Sequence, residues 1–334
     1  YGQVTNLGVE LAHKQQPTLK NGDTIKIVLL DNKGDKVETA NATTRLISSD
    51  NVVAILGALT STNTAQTIAI ADKKGIPVIA PVATNDQLTA KRTFANRVCF
   101  TDSFQGEVVA NYAKAQAYKT AVVVVDQSQV YSLGLAKAFE TAFKKNGGEI
   151  VKSIKITSGD KDFKAVVSQI KETNPDFMFL PLYHPEASMI ARQSKQLGLE
   201  KPMFSGDGVA NQTFIDLGGD AVNGYMFTDF FDYTNPPSQK SADFVAYHEK
   251  ETGKAEMNSF TALGADTYNI LIDAMNRCED PTNSVCINEQ IKKTTDFDGV
   301  SGKITINKEG NATRSAVIKE VKDGKAVFKA TVNP

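Results

Sequence analysis

Two turns rich in hydroxyl and amide side chains carry the groups of this sequence that are best suited to bind a ligand. Ser61 and Asn63 follow the short apolar run VVAIL, and Thr84 and Asn85 follow a second such run, PVIAP. Short apolar runs predict buried strands, and the first turn also opens a segment with helical periodicity. Because the first N–H groups of a helix lack partners, they can bind a carboxylate together with the hydroxyl groups. Residues 57–89 therefore predict a site for a small polar ligand at the edge of an open α/β sheet.

Each of these residues also has an ordinary structural interpretation. Ser61 could be a plain helix N-cap, and Thr84 and Asn85 could simply form a turn. The same holds for Asp207, which lies between two glycines in the run FSGDG. Taken singly, these residues leave both interpretations open, and the order of the motifs along the chain has to decide.

The elements that position these residues alternate between short apolar runs and helix-length segments. TNLGVELAHKQ predicts a helix, DTIKIVLLD a strand, and the pattern restarts after residues 100–102 with SFQGEVVANYAKAQ and TAVVVVD. Such alternation predicts βα units and a parallel sheet. The end of the chain, GKITINKEG and RSAVIKEVKDGKAVFKATV, predicts antiparallel strands instead. We therefore expect two lobes, with the chain crossing between them more than once.

Length and charge limit the class of protein. With 334 residues the chain can form two domains, each with its own core. The 37 Lys and Arg residues nearly balance the 38 Asp and Glu residues, so the net charge is −1 and offers no field for nucleic acid or an anionic membrane. No apolar run approaches the roughly 18 residues that span a bilayer.

The cysteines predict a local disulfide. Cys278 and Cys286 enclose the polar segment EDPTNSV, and neither a histidine nor a further cysteine lies nearby to complete a metal site. We therefore favour a disulfide over a metal site, and a disulfide favours an oxidising compartment outside the cytoplasm. Cys99, in the apolar run RVCF, is expected to be a buried small hydrophobic residue.

An ordered series of motifs along almost the whole chain resembles one protein family. The motifs are ILGALTST, GIPVIAPVATN, VVVVDQSQVYSLGLA, ITSGDKDF, FLPLYHPEASMIARQ, FSGDGVANQ and GKITINKEG. In this order they resemble the branched-chain amino-acid-binding proteins of bacterial ABC importers, the leucine/isoleucine/valine-binding family. No single motif is diagnostic, whereas the ordered set is specific.

The resemblance implies the two-lobed type I periplasmic-binding fold, an α/β fold in which each lobe is a parallel-rich sheet flanked by helices. Three hinge crossings are expected near residues 100–102, 229–233 and 311–314. Lobe 1 would comprise residues 1–101 plus 231–311, and lobe 2 residues 102–230 plus 312–334. The match also implies that Tyr1 is the tyrosine that ends the family's first loop, and that the first strand of lobe 1 is missing from this sequence.

The resemblance also assigns roles to residues. Ser61 and Thr84 match the carboxylate-binding positions, the Val82 carbonyl matches the acceptor of the ligand's ammonium group, and Ala83 is a further expected ligand-binding residue. Asp207 matches the family's acidic ammonium partner and is one methylene shorter than the glutamate often found there. The side-chain pocket would be lined by Leu59, Thr60, Tyr1, Tyr131, Tyr183 and Phe260. Two polar residues, Thr60 and His184 (the latter at a strand end beside the pocket), leave room for a polar-tipped ligand.

The function that the resemblance implies is that of an extracytoplasmic receptor that captures a free amino acid between two lobes and delivers it to a membrane ABC permease. The apolar and aromatic lining favours leucine, isoleucine or valine, since a charged ligand tip would be buried unpaired. We expect a monomer in the periplasm, or a lipid-anchored protein in a Gram-positive bacterium, that uses no cofactor, no metal and no nucleic acid.

Two other functions remain alternatives. One is a binding protein or sensor for another amino acid or a small amide. The other is a hydrolase, against which the sequence lacks a G-x-S-x-G elbow, an HExxH motif and a P-loop, and has only three histidines.

Overall fold

Two units share the chain in the computed structural model, which describes residues 1–334. Unit 1 comprises Tyr1–Thr101 and Phe230–Ser315, and unit 2 comprises Asp102–Asp229 and Ala316–Pro334. The chain therefore passes between the units at three places.

Eleven α-helices account for most of the regular structure. In chain order they are α1 (Gly2–Gln15), α2 (Lys36–Ser48), α3 (Ser61–Lys74), α4 (Asp102–Ala115), α5 (Val130–Lys145), α6 (Lys164–Thr173), α7 (His184–Gln196), α8 (Gln212–Gly218), α9 (Gln239–Thr252), α10 (Ser259–Asn276) and α11 (Ser284–Ile291). The helix predicted for TNLGVELAHKQ is confirmed as α1.

Thirteen strands form three sheets. The strands are β1 (Ile55–Leu56), β2 (Val78–Ala80), β3 (Ala95–Arg97), β4 (Thr120–Asp126), β5 (Glu149–Ile156), β6 (Phe177–Phe179), β7 (Met203–Ser205), β8 (Met226–Asp229), β9 (Phe297–Gly299), β10 (Gly302–Ile306), β11 (Ala312–Thr313), β12 (Ala316–Lys322) and β13 (Lys325–Val332). Unit 1 holds the parallel sheet β1-β2-β3 and the antiparallel sheet β11-β10-β9. Unit 2 holds a sheet of order β13-β12-β8-β7-β6-β4-β5, parallel from β8 to β5 and antiparallel at β12 and β13.

The sheet of unit 2 shows why its strands read as continuous apolar runs. Val122, Val123 and Val124 of β4 are all fully buried, as expected for a parallel strand covered by helices on both faces. The edge strand β13 instead alternates exposed and half-buried residues along its length. The antiparallel pairing of β9, β10 and β11, and of β12 with β8 and β13, confirms the antiparallel strands predicted for the end of the chain.

Glycines allow the closest helix contacts in both units. A Cβ at Gly8 of α1 would lie 1.9 Å from the Thr261 carbonyl oxygen, and one at Gly264 of α10 would lie 2.1 Å from the Thr5 carbonyl oxygen. In unit 2 a Cβ at Gly106 of α4 would lie 2.7 Å from a backbone nitrogen of α5. These backbones therefore touch with no side chain between them, which sets the position of α4 and hence of its buried side chains.

The strand predicted for DTIKIVLLD is wrong. Residues 23–31 form no strand, and their only ladder contact nearby is an isolated bridge between Thr18 and Thr24. A strand exists only where a neighbour satisfies its N–H and C=O groups, and none of the strands in residues 1–334 pairs with this segment. Leu29 is consequently 62% exposed, although its neighbours in the sequence are apolar.

The predicted disulfide is confirmed. Cys278, just beyond α10, is bonded to Cys286 in α11, with the two Cα atoms 6.0 Å apart. The last two residues of the intervening segment, Ser284 and Val285, belong to α11. Cys99 is fully buried and outside any disulfide, as predicted for a small core residue.

Candidate functional site

The turn after β1 is shaped by the cap of α3. The side chain of Thr60 accepts from the Asn63 N–H at 3.3 Å, so Thr60 is the N-cap and Ser61 is the first helical residue. The plain N-cap interpretation of Ser61 is therefore wrong. Ser61 is buried, and its Oγ accepts from the N–H of Asn85 at 3.2 Å. Unit 1 thus brings the two hydroxyl-rich turns together, and the Ser61 hydroxyl can still donate its hydrogen to a ligand.

The turn after β2 presents a buried hydroxyl group that lacks a protein partner. Thr84 is fully buried, and its Oγ1 makes no hydrogen bond within the protein. An unsatisfied buried polar group costs about 1–3 kcal/mol, so such groups call for a further partner. The Ala83 carbonyl already accepts from Arg97 Nη1 at 3.0 Å and from Cys99 Sγ at 3.1 Å. Of the two neighbouring carbonyls, Val82 is therefore the better candidate acceptor for a ligand ammonium group.

Arg97 of β3 holds this turn, and the sequence analysis missed it. Its Nη1 donates to the Asn85 carbonyl at 2.7 Å as well as to that of Ala83, and its Nε donates to Asn311 Oδ1 at 2.9 Å. Arg97 is 1% exposed, so these bonds form away from water, where they are strong. The only sequence signal was an arginine in front of the apolar run VCF.

The apolar residues predicted for unit 1 also meet. The rings of Tyr1 and Phe260 stack with centroids 5.4 Å apart, although they lie far apart in sequence. Leu59 lies beside the start of α1, since a Cβ placed on Gly2 would be 3.8 Å from its Cδ1. Phe260 is buried, whereas Tyr1, Leu59 and Thr60 are half-buried.

In unit 2, Asp207 is a buried carboxylate without a cationic partner. It follows β7 and begins a short 3₁₀ turn, and it is 4% exposed. Burial raises the pKa of Asp207 from 3.8 to about 7, against hydrogen bonds from Gln105 and Tyr131 that lower it. A ligand cation would reverse this shift, because an opposite charge favours the ionised carboxylate.

Tyr131 and Tyr183 form a stacked pair beside this turn, with centroids 4.8 Å apart. Tyr131 is buried, and its Oη accepts from the Gly208 N–H at 3.0 Å. Burial raises the pKa of Tyr131 well above its usual value, so the hydroxyl stays neutral. The structure therefore gives Tyr131 contacts that support the Asp207 turn as well as a place next to Tyr183. His184 is half-buried, burial lowers its pKa, and its Nδ1 lies 3.4 Å from Asn211 Nδ2.

The predicted residues fall into one group in each unit. Unit 1 holds Ser61, Thr84, Val82, Ala83, Leu59, Thr60, Tyr1 and Phe260, and unit 2 holds Asp207, Tyr131 and Tyr183. The first group offers hydroxyl groups, a helix start and apolar walls, and the second offers a carboxylate and aromatic rings. No group of His, Cys, Asp or Glu side chains in residues 1–334 is arranged to hold a metal ion. None of the helices is both long and apolar enough to traverse a bilayer.

Comparisons with known proteins identify the family to which this chain is similar. The sequence model of the periplasmic binding protein family matches residues 2–326. A leucine-binding protein of Thermotoga maritima is 37% identical, with 100% of this chain and 94% of that chain covered and a TM-score of 0.96.

Two further proteins give the same result. The branched-chain amino acid transporter substrate-binding protein of Streptococcus pneumoniae, solved in complex with isoleucine, is 30% identical, with 100% and 95% covered and a TM-score of 0.92. The Leu/Ile/Val-binding protein BraC3 of Rhizobium johnstonii is 28% identical over 295 residues, which are 87% of this chain and 78% of that protein. These matches confirm the α/β type I periplasmic-binding fold and the family resemblance predicted from the sequence.

Proposed function

We propose, from the premise that this chain belongs to the periplasmic binding protein family, that it is a receptor that captures a free amino acid and delivers it to a membrane ABC permease. The observation that carries the proposal is Asp207. Its side-chain hydrogen bonds come from Gln105 and Tyr131, neither of which is a cation, and it is almost fully buried. A buried carboxylate in this state is suited to the ammonium group of an amino acid.

The carboxylate half of the ligand would be bound by unit 1. Ser61 and Thr84 can each donate a hydroxyl hydrogen, and the N-terminal end of α3 adds a favourable dipole. These donors are neutral, so they leave no buried charge when the ligand departs. That property suits a receptor that must release its ligand.

The ammonium half would be bound by Asp207 of unit 2 and by the Val82 carbonyl of unit 1. Hydrogen bonds between ionised partners are shorter and about twice as strong as those between neutral ones. The two charged ends of the ligand would thus be met by opposite kinds of groups, which compensates for the water that each end loses.

The side chain of the ligand would contact Leu59, Tyr1 and Phe260, with Tyr131 and Tyr183 as further aromatic walls. None of these side chains carries a charge, so the charge of a ligand with an ionised tip would have no partner. We therefore propose leucine, isoleucine or valine. An apolar pocket separates such neighbours by only ~1–3 kcal/mol per methylene, so the affinities should overlap. Similar proteins support this choice: the Thermotoga maritima protein is named for leucine, the Streptococcus pneumoniae protein was solved with isoleucine, and BraC3 is named for leucine, isoleucine and valine.

The protein would act outside the cytoplasm, as a monomer that contacts its permease transiently, and without catalysing a reaction. The Cys278–Cys286 disulfide supports an oxidising compartment. The alternative that we keep is a receptor or sensor for another amino acid or a small amide, because Thr60 and His184 add polar atoms near the apolar walls.

A thermal-shift screen of the common amino acids tests the proposal. A ligand that binds only the folded state raises the melting temperature by mass action, so the ranking of shifts gives the specificity. We expect the largest shifts with leucine, isoleucine and valine. A response confined to arginine or glutamate would refute the aliphatic pocket, and no response to any amino acid would refute the receptor function.

A further inference from the structure

Gln105 of α4 has every hydrogen-bonding position of its amide filled. Its Nε2 donates to Asp207 Oδ1 and to Asp102 Oδ1, each at 3.1 Å. Its Oε1 accepts from the Asp207 N–H at 2.9 Å and from the Thr228 hydroxyl. A glutamine amide has two donor hydrogens and two acceptor positions, so nothing is left over. Gln105 is fully buried and therefore makes these bonds in place of bonds to water.

These bonds leave only one orientation for the amide. The backbone N–H of Asp207 can only donate, so it must face Oε1, and the NH₂ group must then face the two carboxylates. Gln105 consequently forms hydrogen bonds with two groups of Asp207, the backbone N–H and one carboxylate oxygen. Two contacts to one residue determine both the position of its main chain and the direction of its side chain.

The turn that carries Asp207 packs closely against Gln105 and Tyr131. A Cβ added to Gly206 would lie 2.8 Å from Gln105 Oε1 and 2.7 Å from Tyr131 Oη. A Cβ on Gly208 would lie 2.6 Å from a backbone carbonyl oxygen and 3.1 Å from Tyr131 Oη. The two glycines that flank Asp207 therefore serve close packing against Gln105 and its neighbours.

No cation of unit 2 is paired with Asp207. The titratable groups around Asp207 are Tyr131 from α5, Asp102 from α4 and Asp229 from β8, and the cation Lys319 is paired through its Nζ with Asp229 at 2.8 Å. Burial raises the pKa of Asp207 to about 7, the hydrogen bonds from Gln105 and Tyr131 lower it, and the charge of Asp229 raises it. The amide of Gln105 thus favours the ionised carboxylate without adding a charge of its own.

We propose that Gln105 is the positioning residue of the ammonium half of the site, which aims the Asp207 carboxylate and favours its ionised form. The inference rests on the proposed function, since it takes Asp207 to meet the ammonium group of the ligand. Gln105 acts through Asp207 and needs no contact with the amino acid. Its loss should therefore change the pH at which binding is lost as well as the affinity.

The test is calorimetry of leucine binding to the full chain across pH about 5 to 9, in the wild type, Gln105→Met and Gln105→Glu. Gln105→Met keeps the shape and removes both the donor and the acceptor. Gln105→Glu keeps an acceptor for the Asp207 N–H and replaces the donor by a carboxylate. Both variants should lower leucine affinity at neutral pH by about tenfold or more, and both should move the midpoint of the acid loss of binding to higher pH.

Asn288→Leu provides the matched control. Asn288 of α11 is a buried amide in unit 1 that donates to the Thr93 carbonyl at 2.8 Å and accepts from Asn96 at 3.0 Å. Its replacement should lower the melting temperature and leave the pH midpoint of binding unchanged.

The outcomes separate this inference from the function on which it rests. A shifted midpoint in either Gln105 variant, with an unshifted control, supports the positioning role. An unchanged midpoint in the Gln105 variants, with leucine still bound by the wild type, would overturn that role and leave the receptor function standing. Absence of binding of leucine, isoleucine and valine by the wild type would overturn both. If Gln105→Met does not fold, Thr228→Val, which removes only one partner of Oε1, replaces it with a smaller expected shift of the same sign.

Discussion

The two units hold their proposed ligand contacts in opposite ways. In unit 1 the contacting groups of Ser61 and Thr84 are neutral, and the turn behind them is held by a buried cation, Arg97. In unit 2 the contacting group of Asp207 is ionisable, and the residue behind it is a neutral amide, Gln105. In unit 1 the buried charged group Arg97 therefore supports the turn, whereas in unit 2 the buried ionisable group Asp207 is itself the proposed ligand contact.

The difference determines which half responds to pH. An arginine side chain does not lose its proton in proteins, so the support in unit 1 is independent of pH. Asp207 has a pKa of about 7 because of its burial, so its charge varies within the physiological range. We expect the carboxylate half of the site to be constant and the ammonium half to titrate. Substitutions in each half of the site and a pH series test this contrast.

Asp207→Ala and Asp207→Asn should each weaken leucine binding by more than about 100-fold, because the ligand's ammonium group then loses its only ionic partner. Both variants should fold, since Asn keeps the shape and Ala removes a buried carboxylate. Calorimetry measures the affinity, and circular dichroism checks the fold. Near-native affinity in either variant would show that the ammonium group is bound elsewhere.

Lowering the pH should weaken leucine binding by about tenfold between pH 8 and pH 6, since the ligand binds the ionised form of Asp207, whose pKa without ligand is about 7. The stability of the ligand-free protein should respond with the opposite sign. Because folding raises the pKa of Asp207 from 3.8, its contribution to stability is full below that value and is lost as the pH rises through about 7. Calorimetry and denaturant unfolding over the same pH series measure the two effects. Equal affinity at both pH values would contradict the titrating half-site.

Thr84→Val should weaken leucine binding about fivefold, because one neutral donor to the carboxylate is lost. The stability of the ligand-free protein should stay equal or rise by about 1 kcal/mol, since the substitution removes a buried hydroxyl without a protein partner. The pH midpoint of binding should not move, in contrast to the Gln105 variants. A lower stability with unchanged affinity would place Thr84 in the core and outside the site.

Much of the fold follows from signals that are local in the chain. The βα alternation, the helix α1, the antiparallel end and the disulfide were all predicted from neighbouring residues and are confirmed. The strand predicted for residues 23–31 failed because strand formation depends on a partner elsewhere in the sheet. Apolar residues alone do not supply that partner.

The candidate site likewise combines features that are local in the sequence with contacts between distant residues. Ser61, Thr84 and Asp207 lie after strands in local motifs, so their positions could be predicted from the neighbouring residues alone. Their roles in binding remain predictions. The assignment of the α3 cap to Thr60 was beyond the sequence, because Thr60 and Ser61 are adjacent hydroxyl residues and only backbone geometry distinguishes them.

The contacts that support these residues form only when the chain is folded. Gln105 and Asp207 are separated by 102 positions, and Arg97 reaches Asn311 across 214, so no local pattern connects them. In the sequence Arg97 and Gln105 are ordinary polar residues, and their importance appears only when they are found buried with their polar atoms bonded. Burial is a property of the packed chain, and it makes an arginine a rigid support and gives an aspartate a pKa of about 7.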